Sequence, residues 1–230
     1  MTVTPVSPRM RRFIMLVDRF VLFVTRRWLM LANVFIFLFA GLPFLAPLLM
    51  HWGATLPAEL IYKAYSLSCH QLAYRTFFFF GAQPTYTVDE LQRALGVPNP
   101  ANDVFYWRDF IGNAQVGYKM AWCERDAAIY IALFAAGVLF AFLRARLKPL
   151  NWRIYLFLIA PMALDGLTQL FGLRESDAIL RAITGALFGA GSVWLVYPYV
   201  EEAMRDAYAQ AKYQYERGRA RELEEKGAIQ

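Results

Sequence analysis

Several chemistries are excluded by what this 230-residue sequence has little of. It contains two cysteines, Cys69 and Cys123, and two histidines, His51 and His70. Two cysteines cannot build a disulfide framework, though they suffice for one bridge or one shared metal. Two histidines rule out bis-histidine ligation of several haems, and no CxxCH run is present. Charged residues make up 18% of the chain, below the roughly 25% of a soluble domain. No glycine-rich phosphate loop follows a strand, and neither a nucleophile elbow nor a zincin histidine pair is found. The basic N-terminus leads into no short apolar core ending in small residues, so no secretory signal peptide is expected.

What the chain does have is apolar surface, 58% of residues being hydrophobic and 17% aromatic. It is clustered. Residues 28–50 carry no charge and are long enough at 1.5 Å per residue to cross a hydrocarbon core of about 30 Å. Further runs lie near 120–143, 154–173 and 178–200. The expected fold class is all-α, a multi-pass transmembrane bundle of four spans. Ahead of the first span, Arg12, Arg19 and Arg26 recur every seven residues on an otherwise apolar surface. Residues 1–27 therefore read as an amphipathic helix lying in the membrane interface. Pro43 and Pro47 are expected to kink or end the first span.

The net charge of +6 invites a nucleic-acid reading, but the basic residues cluster just beyond the apolar runs and no nucleic-acid motif is present. Their placement instead orients the bundle. Residues 1–27, the 144–153 loop and the tail after 200 hold six, four and six Lys or Arg, leaving eight of the 24 elsewhere. The positive-inside rule then places both ends in the cytoplasm. Residues 57–80 read as a helix at the outer interface with Phe77–Phe80 facing lipid, because Lys63, His70 and Arg75 are costly in lipid. Residues 82–116 read as a small outer cap. Thr87 and Glu90 have capping-box spacing there, Gly96 and Pro98 mark a stop, and a short helix is expected over Asp103–Ile111. Residues 201–230 form a charged helical tail.

This topology brings the unusual polar residues to one depth, near the outer leaflet. Asp165 and Gln169 share a helical face at i,i+4 spacing. A carboxylate there needs a partner, and by depth Arg174 and Arg181 are the nearest. Asp165 and His70 are candidate acid–base groups. Arg75, Arg125, Arg174 and Arg181, with Gln169 and Thr184, form a candidate anion or polar cluster. Cys69, His70, Cys123 and Asp126 form a candidate ligand set whose donor types suit zinc. A Cys69–Cys123 disulfide is the alternative, and spacing alone favours it. Gly185 and Gly189 have GxxxG spacing and are expected to pack against the third span.

The run SCHQLAYRTFFFFG followed by WCERDAAIY resembles a family of prokaryotic predicted membrane proteins, domain of unknown function 2085. The stretch PMALDGLTQLFGLRESDAILRAITGALFG resembles the same family's second signature. The resemblance covers about residues 65–81 and 117–195. It falls on Cys69, His70, Arg75, Cys123, Arg125, Asp165, Gln169, Arg174, Ser176, Arg181 and Thr184. It departs at Asp126, where the family carries a third cysteine, and at 82–116, which looks like an insertion. The family pattern of three thiols and a histidine implies a metal and raises that reading above the disulfide. Three functions follow as expectations. The first is a prokaryotic cell-membrane protein with a metal-binding outer site, with zinc as cofactor. The second is an enzyme acting on an anionic lipid or polyprenyl phosphate. The third is an accessory subunit of a larger membrane complex, stapled by the Cys69–Cys123 disulfide. The bilayer is the expected partner in each.

Overall fold

The computed structural model describes residues 7–97, 103–174 and 176–227. Seven helices dominate the described residues: α1 Pro8–His51, α2 Thr55–Tyr65, α3 Val88–Leu95, α4 Val104–Asp109, α5 Glu124–Leu143, α6 Trp152–Leu170 and α7 Ala178–Gly227. Three of them, α1, α5 and α7, are long and apolar enough to cross a membrane. The fourth candidate, α6, has 19 residues and includes Arg153, Asp165 and Gln169.

The first span and the stretch before it are one helix. With 44 residues, α1 is about 66 Å long, roughly twice the thickness of a hydrocarbon core. The interfacial helix expected over 1–27 is therefore, from Pro8 on, continuous with the span, and residues 1–6 lie outside the described residues. Charge alone does not end a helix, and no Gly or Pro stands between Arg9 and Ala40. Likewise α7 runs unbroken for 50 residues, joining the 178–200 run to the charged tail. The two long helices lie side by side in opposite directions. Trp28 Nε1 donates to Glu201 Oε2 at 2.9 Å, and Arg19 Nε donates to Tyr215 Oη at 3.1 Å.

Pro43 and Pro47 lie inside α1 without ending it. A proline has no N–H, so the carbonyl four residues earlier loses its helical donor. Those carbonyls belong to Phe39 and Pro43, and both find donors outside the helix. Tyr65 Oη donates to Phe39 O at 2.7 Å, and Ala121 N donates to Pro43 O at 3.3 Å. Pro198 in α7 acts the same way, freeing Trp194 O to accept from Leu150 N at 3.3 Å. The prolines thus create the acceptors onto which α2, the segment before α5 and the α5–α6 loop dock.

Helices α5 and α7 approach closely. A Cβ on Gly185 would sit 2.7 Å from Arg125 O, and one on Gly189 would sit 2.4 Å from Ile129 O. The small-residue stripe therefore packs on α5, not on α6 as expected for the third span. At the basic end of these helices Trp28, Leu29, Phe140 and Val193 form a core with Tyr197 against it.

The helix expected over 57–80 ends at Tyr65. Beyond it the chain is irregular, with Gln71 at φ 52°, then a short 3-10 turn over Ala73–Arg75. Phe78 and Phe79 form strand β1, which pairs antiparallel with β3 Gly117–Lys119; β2 Gly112–Asn113 pairs with the other edge of β3. Phe78 is buried in the cap rather than facing lipid, in a core with Leu72, Tyr86, Leu91, Trp107 and Val116. A run of aromatics suits a strand as well as a membrane surface. The small sheet also departs from the all-α expectation. Local signals in the cap held: Thr87 and Glu90 form the capping box, Gly96 ends α3 at φ 63°, and Asp103 caps α4.

The proline-freed acceptor gives a test. Tyr65→Phe is expected to lower stability in detergent by about 1 kcal/mol, the net worth of one hydrogen bond. The same change on a Pro43→Ala background, where the helix reclaims Phe39 O, is expected to do much less. Additive effects in a double-mutant thermal denaturation cycle would contradict this.

Candidate functional site

Both cysteines stand on segments knitted together across the chain. Gln71 Nε2 donates to Tyr62 O and to Ala121 O, each at 2.9 Å. Thr76 Oγ1 donates to Met120 O at 3.1 Å and also to Trp122 O. Tyr62 Oη donates to Lys119 O. Lys119 is fully buried, and its ammonium reaches Gln71 O at 2.7 Å and Arg108 O at 2.5 Å, with Trp107 O at 3.5 Å. Burial lowers its pKa to about 7. Nothing local marks Lys119 as buried, and sequence reasoning missed it.

Cys69 and Cys123 are free thiols. Their sulfurs and a carboxylate oxygen of Asp126 all lie within 4.8 Å of one another. Backbone N–H groups face both sulfurs. Cys69 Sγ faces the backbone N–H groups of Cys123 at 3.3 Å and Gln71 at 3.5 Å. Cys123 is the N-cap of α5, and its sulfur accepts from Asp126 N at 3.4 Å. A helix N-terminus favours negative charge. In the reduced pair the Cys123 thiol donates its one proton to Asp126 Oδ2 at 3.1 Å. The neighbouring Cys69 side chain and then burial push its pKa up.

His70 lines the same pocket but is exposed and stands outside this three-residue group. Adjacent residues point apart, and the chain here turns Cys69 inward. Of the four expected ligands, three converge, and His70 stands at the rim. The pocket has a volume of about 370 Å³ and is also lined by Arg75, Arg125, Gln169 and Arg181. Residues from the α2–β1 segment, α5, α6 and α7 thus meet at one place.

Asp165 is nearly inaccessible and lies behind this pocket. Arg174 Nη2 donates to its Oδ1 at 2.6 Å, while Oδ2 accepts from Arg125 Nη2 and, at 3.1 Å, from Gln169 Nε2. Arg174 is the expected partner; Arg125 replaces the expected Arg181. Arg181 instead binds Glu124 Oε2 at 2.7 Å and donates to Ser176 O. Glu124 belongs to the polar run Cys123-Glu124-Arg125-Asp126 but had no expected partner, because an acid in the first turn of a helix usually needs none beyond the helix itself. Thr184 is buried, and its hydroxyl bonds to Leu180 O at 2.8 Å in its own helix. It does not line the pocket.

With both oxygens engaged by arginines, Asp165 is arranged to hold α5, α6 and the α6–α7 loop together. Asp165→Asn is expected to destabilise the protein by about 3 kcal/mol, since a buried ion pair loses one member. Arg174→Gln is expected to cost about 1 kcal/mol, because that arginine is nearly half exposed. Thermal unfolding in detergent measures both. An unchanged Asp165→Asn protein would mean the carboxylate does not hold the fold together.

Comparison with known proteins places this geometry among relatives. Residues 114–195 match the model of a predicted membrane protein family, domain of unknown function 2085. An uncharacterised protein of Methanocaldococcus jannaschii is 31% identical over 163 residues, covering 67% of this chain and 81% of the relative. An uncharacterised protein of Methanothermobacter thermautotrophicus is 36% identical over 80 residues, covering 33% of this chain and 68% of the relative. No solved structure matches.

Proposed function

The chain belongs to the domain of unknown function 2085 family of predicted membrane proteins, and on that premise we propose that it is a multi-pass protein carrying a divalent-metal centre at an outer-facing pocket. The observation that carries this reading is the convergence of Cys69, Cys123 and Asp126 within 4.8 Å, with backbone N–H groups aimed at both sulfurs. Two thiolates and a carboxylate match zinc by donor type. The carboxylate makes the site harder than an all-thiolate one. His70 at the rim can complete the coordination, or a water or substrate can take the fourth position. Bound zinc would act there as a Lewis acid.

The proposed topology has four spans, with α6 as the third and both ends in the cytoplasm of a prokaryotic cell. Two observations support it. Contacts gather the first half of α1, the end of α5 and the tail of α7 at one end, where Arg144 faces Glu201 at 3.7 Å and Arg19 faces Tyr215. The cysteines and the Asp165 cluster gather at the other. The helix α6 is about 28 Å long, close to a hydrocarbon core.

A second reading concerns an anionic ligand. Arg75, Arg125 and Arg181 line the pocket, and each has a buried Nε with no partner. Phosphate oxygens satisfy such donors. The ligand class is then an anionic lipid or polyprenyl phosphate, with His70 available as acid–base group.

Metal and thiol analysis of protein purified in mild detergent tests the first reading. About one zinc per chain is expected, lost in Cys69→Ala and in Cys123→Ala. Metal-free protein with no titratable thiols would overturn it and favour a disulfide-stapled accessory subunit. For the second reading, inorganic phosphate is expected to raise the melting temperature of the wild type and not of Arg75→Gln. No stabilisation of the wild type would contradict it.

A further inference from the structure

The opposite end of the molecule holds a second polar feature that the metal reading does not use. Two adjoining clefts of about 320 and 440 Å³ lie between α1 and α7. The first is lined by Arg26, Arg144 and Arg205, the second by Arg26, Arg27, Lys212 and Arg219. Arg26 and Tyr208 line both, so the two form one continuous groove. Its carboxylates are Glu201 and Glu216. Glu201 is already held by Trp28, Arg205 and Arg144, and Glu216 lies 3.9 Å from Lys212. No carboxylate among the described residues is paired with Arg26, Arg27 or Arg219. The groove therefore has an excess of positive charge, and three of its guanidinium groups have no acidic partner.

Its position along the helices identifies the ligand. Arg26 and Arg27 directly precede the uncharged 28–50 run, and Glu201 directly follows the apolar part of α7. The Arg26–Glu201 end of the groove thus sits where apolar helix gives way to charged helix, the level of lipid headgroups. Tyr208, Tyr215 and Trp28 in its walls are residue types that favour that level. On the apolar side of Arg26 and Arg27, Met30, Val34 and Phe37 of α1 are exposed. Cations next to an exposed apolar face match a molecule with an anionic head and a hydrocarbon body. A nucleic acid or an acidic peptide would use the cations and leave Met30, Val34 and Phe37 bare. Basic pockets between membrane helices on the positive side are suited to phosphate headgroups.

We propose that this groove binds the phosphate headgroup of an anionic phospholipid, with Arg26, Arg27 and Arg219 on the phosphate and the acyl chains along the exposed Met30, Val34 and Phe37 of α1. The lipid bridges α1 and α7 where both leave the apolar layer. It adds a clamp to two helices that also meet there through the Trp28 core, Arg19–Tyr215 and Trp28–Glu201. The site is independent of the metal centre, and failure of either proposal leaves the other standing.

The test uses the full chain in neutral detergent. Lipid retention is measured by native mass spectrometry with phosphatidylglycerol or phosphatidylcholine added, and melting temperature is followed in parallel. Phosphatidylglycerol is expected to be retained at least about tenfold better, and the preference to collapse in about 0.5 M sodium chloride, since exposed cations are screened. Arg26→Gln with Arg219→Gln is expected to remove most of the preference, while Arg93→Gln on the cap leaves it intact. Equal retention of the two lipids by the wild type would overturn the proposal, whether or not the double variant folds. So would a preference unchanged in a folded double variant. In an Arg75→Gln background, where the other pocket is disabled, inorganic phosphate stabilising as well as phosphatidylglycerol would assign the groove to a soluble anion and overturn the lipid assignment.

Discussion

Two carbonyl groups on α1 organise the cysteine-bearing half of the molecule. Pro43 and Pro47 withhold the donors that Phe39 O and Pro43 O would have had in a regular helix. In a membrane helix a freed carbonyl must be satisfied by neighbouring protein. Here the neighbours are Tyr65 and Ala121. Tyr65 ends α2 four residues before Cys69, and Ala121 stands two residues before Cys123. The same pair of prolines therefore anchors both cysteine-bearing segments to one rigid helix, one turn apart. Gln71, Thr76 and Lys119 then tie those segments to each other through main-chain carbonyls. The two sulfurs and Asp126 converge as a consequence of this anchoring.

Charge is handled differently on the two sides of the pocket. Behind it, Asp165 and Glu124 are buried and paired with Arg125, Arg174 and Arg181, joining α5 to α6 and α7. Buried ion pairs of this kind contribute little net stability, but losing one partner is expensive. They hold helices in register. The pocket itself is lined by exposed His70 and by Arg75, Arg125 and Arg181, whose buried Nε atoms have no partner. The close approach of α7 to α5 at Gly185 and Gly189 brings Arg181 within reach of Glu124. Packing, ion pairs and the pocket thus depend on one another.

Much of this was legible in the sequence, and the reason differs by element. Long uncharged runs such as 28–50 announce themselves because burial in lipid demands them. The Thr87–Glu90 box was legible because its chemistry lies within four residues. Cys69 and Cys123 stood out by rarity. The continuity of α1 was hidden because a change from charged to apolar residues resembles a boundary, although only a breaker or cap ends a helix. The strand at Phe78 was hidden because aromatic residues serve sheets and lipid surfaces alike. Lys119, the Glu124–Arg181 pair and the proline acceptors depend on partners more than ten residues away. No local pattern encodes those.

The central claim is that Cys69, Cys123 and Asp126 hold one metal ion together. X-ray absorption at the zinc edge of the purified protein tests it most directly. The account predicts a mixed shell, with two sulfurs at about 2.3 Å and lighter atoms at about 2.0–2.2 Å. Cys123→Ala is predicted to remove the sulfur signal along with the metal. A zinc shell made only of nitrogen and oxygen, unchanged by either cysteine substitution, would contradict it.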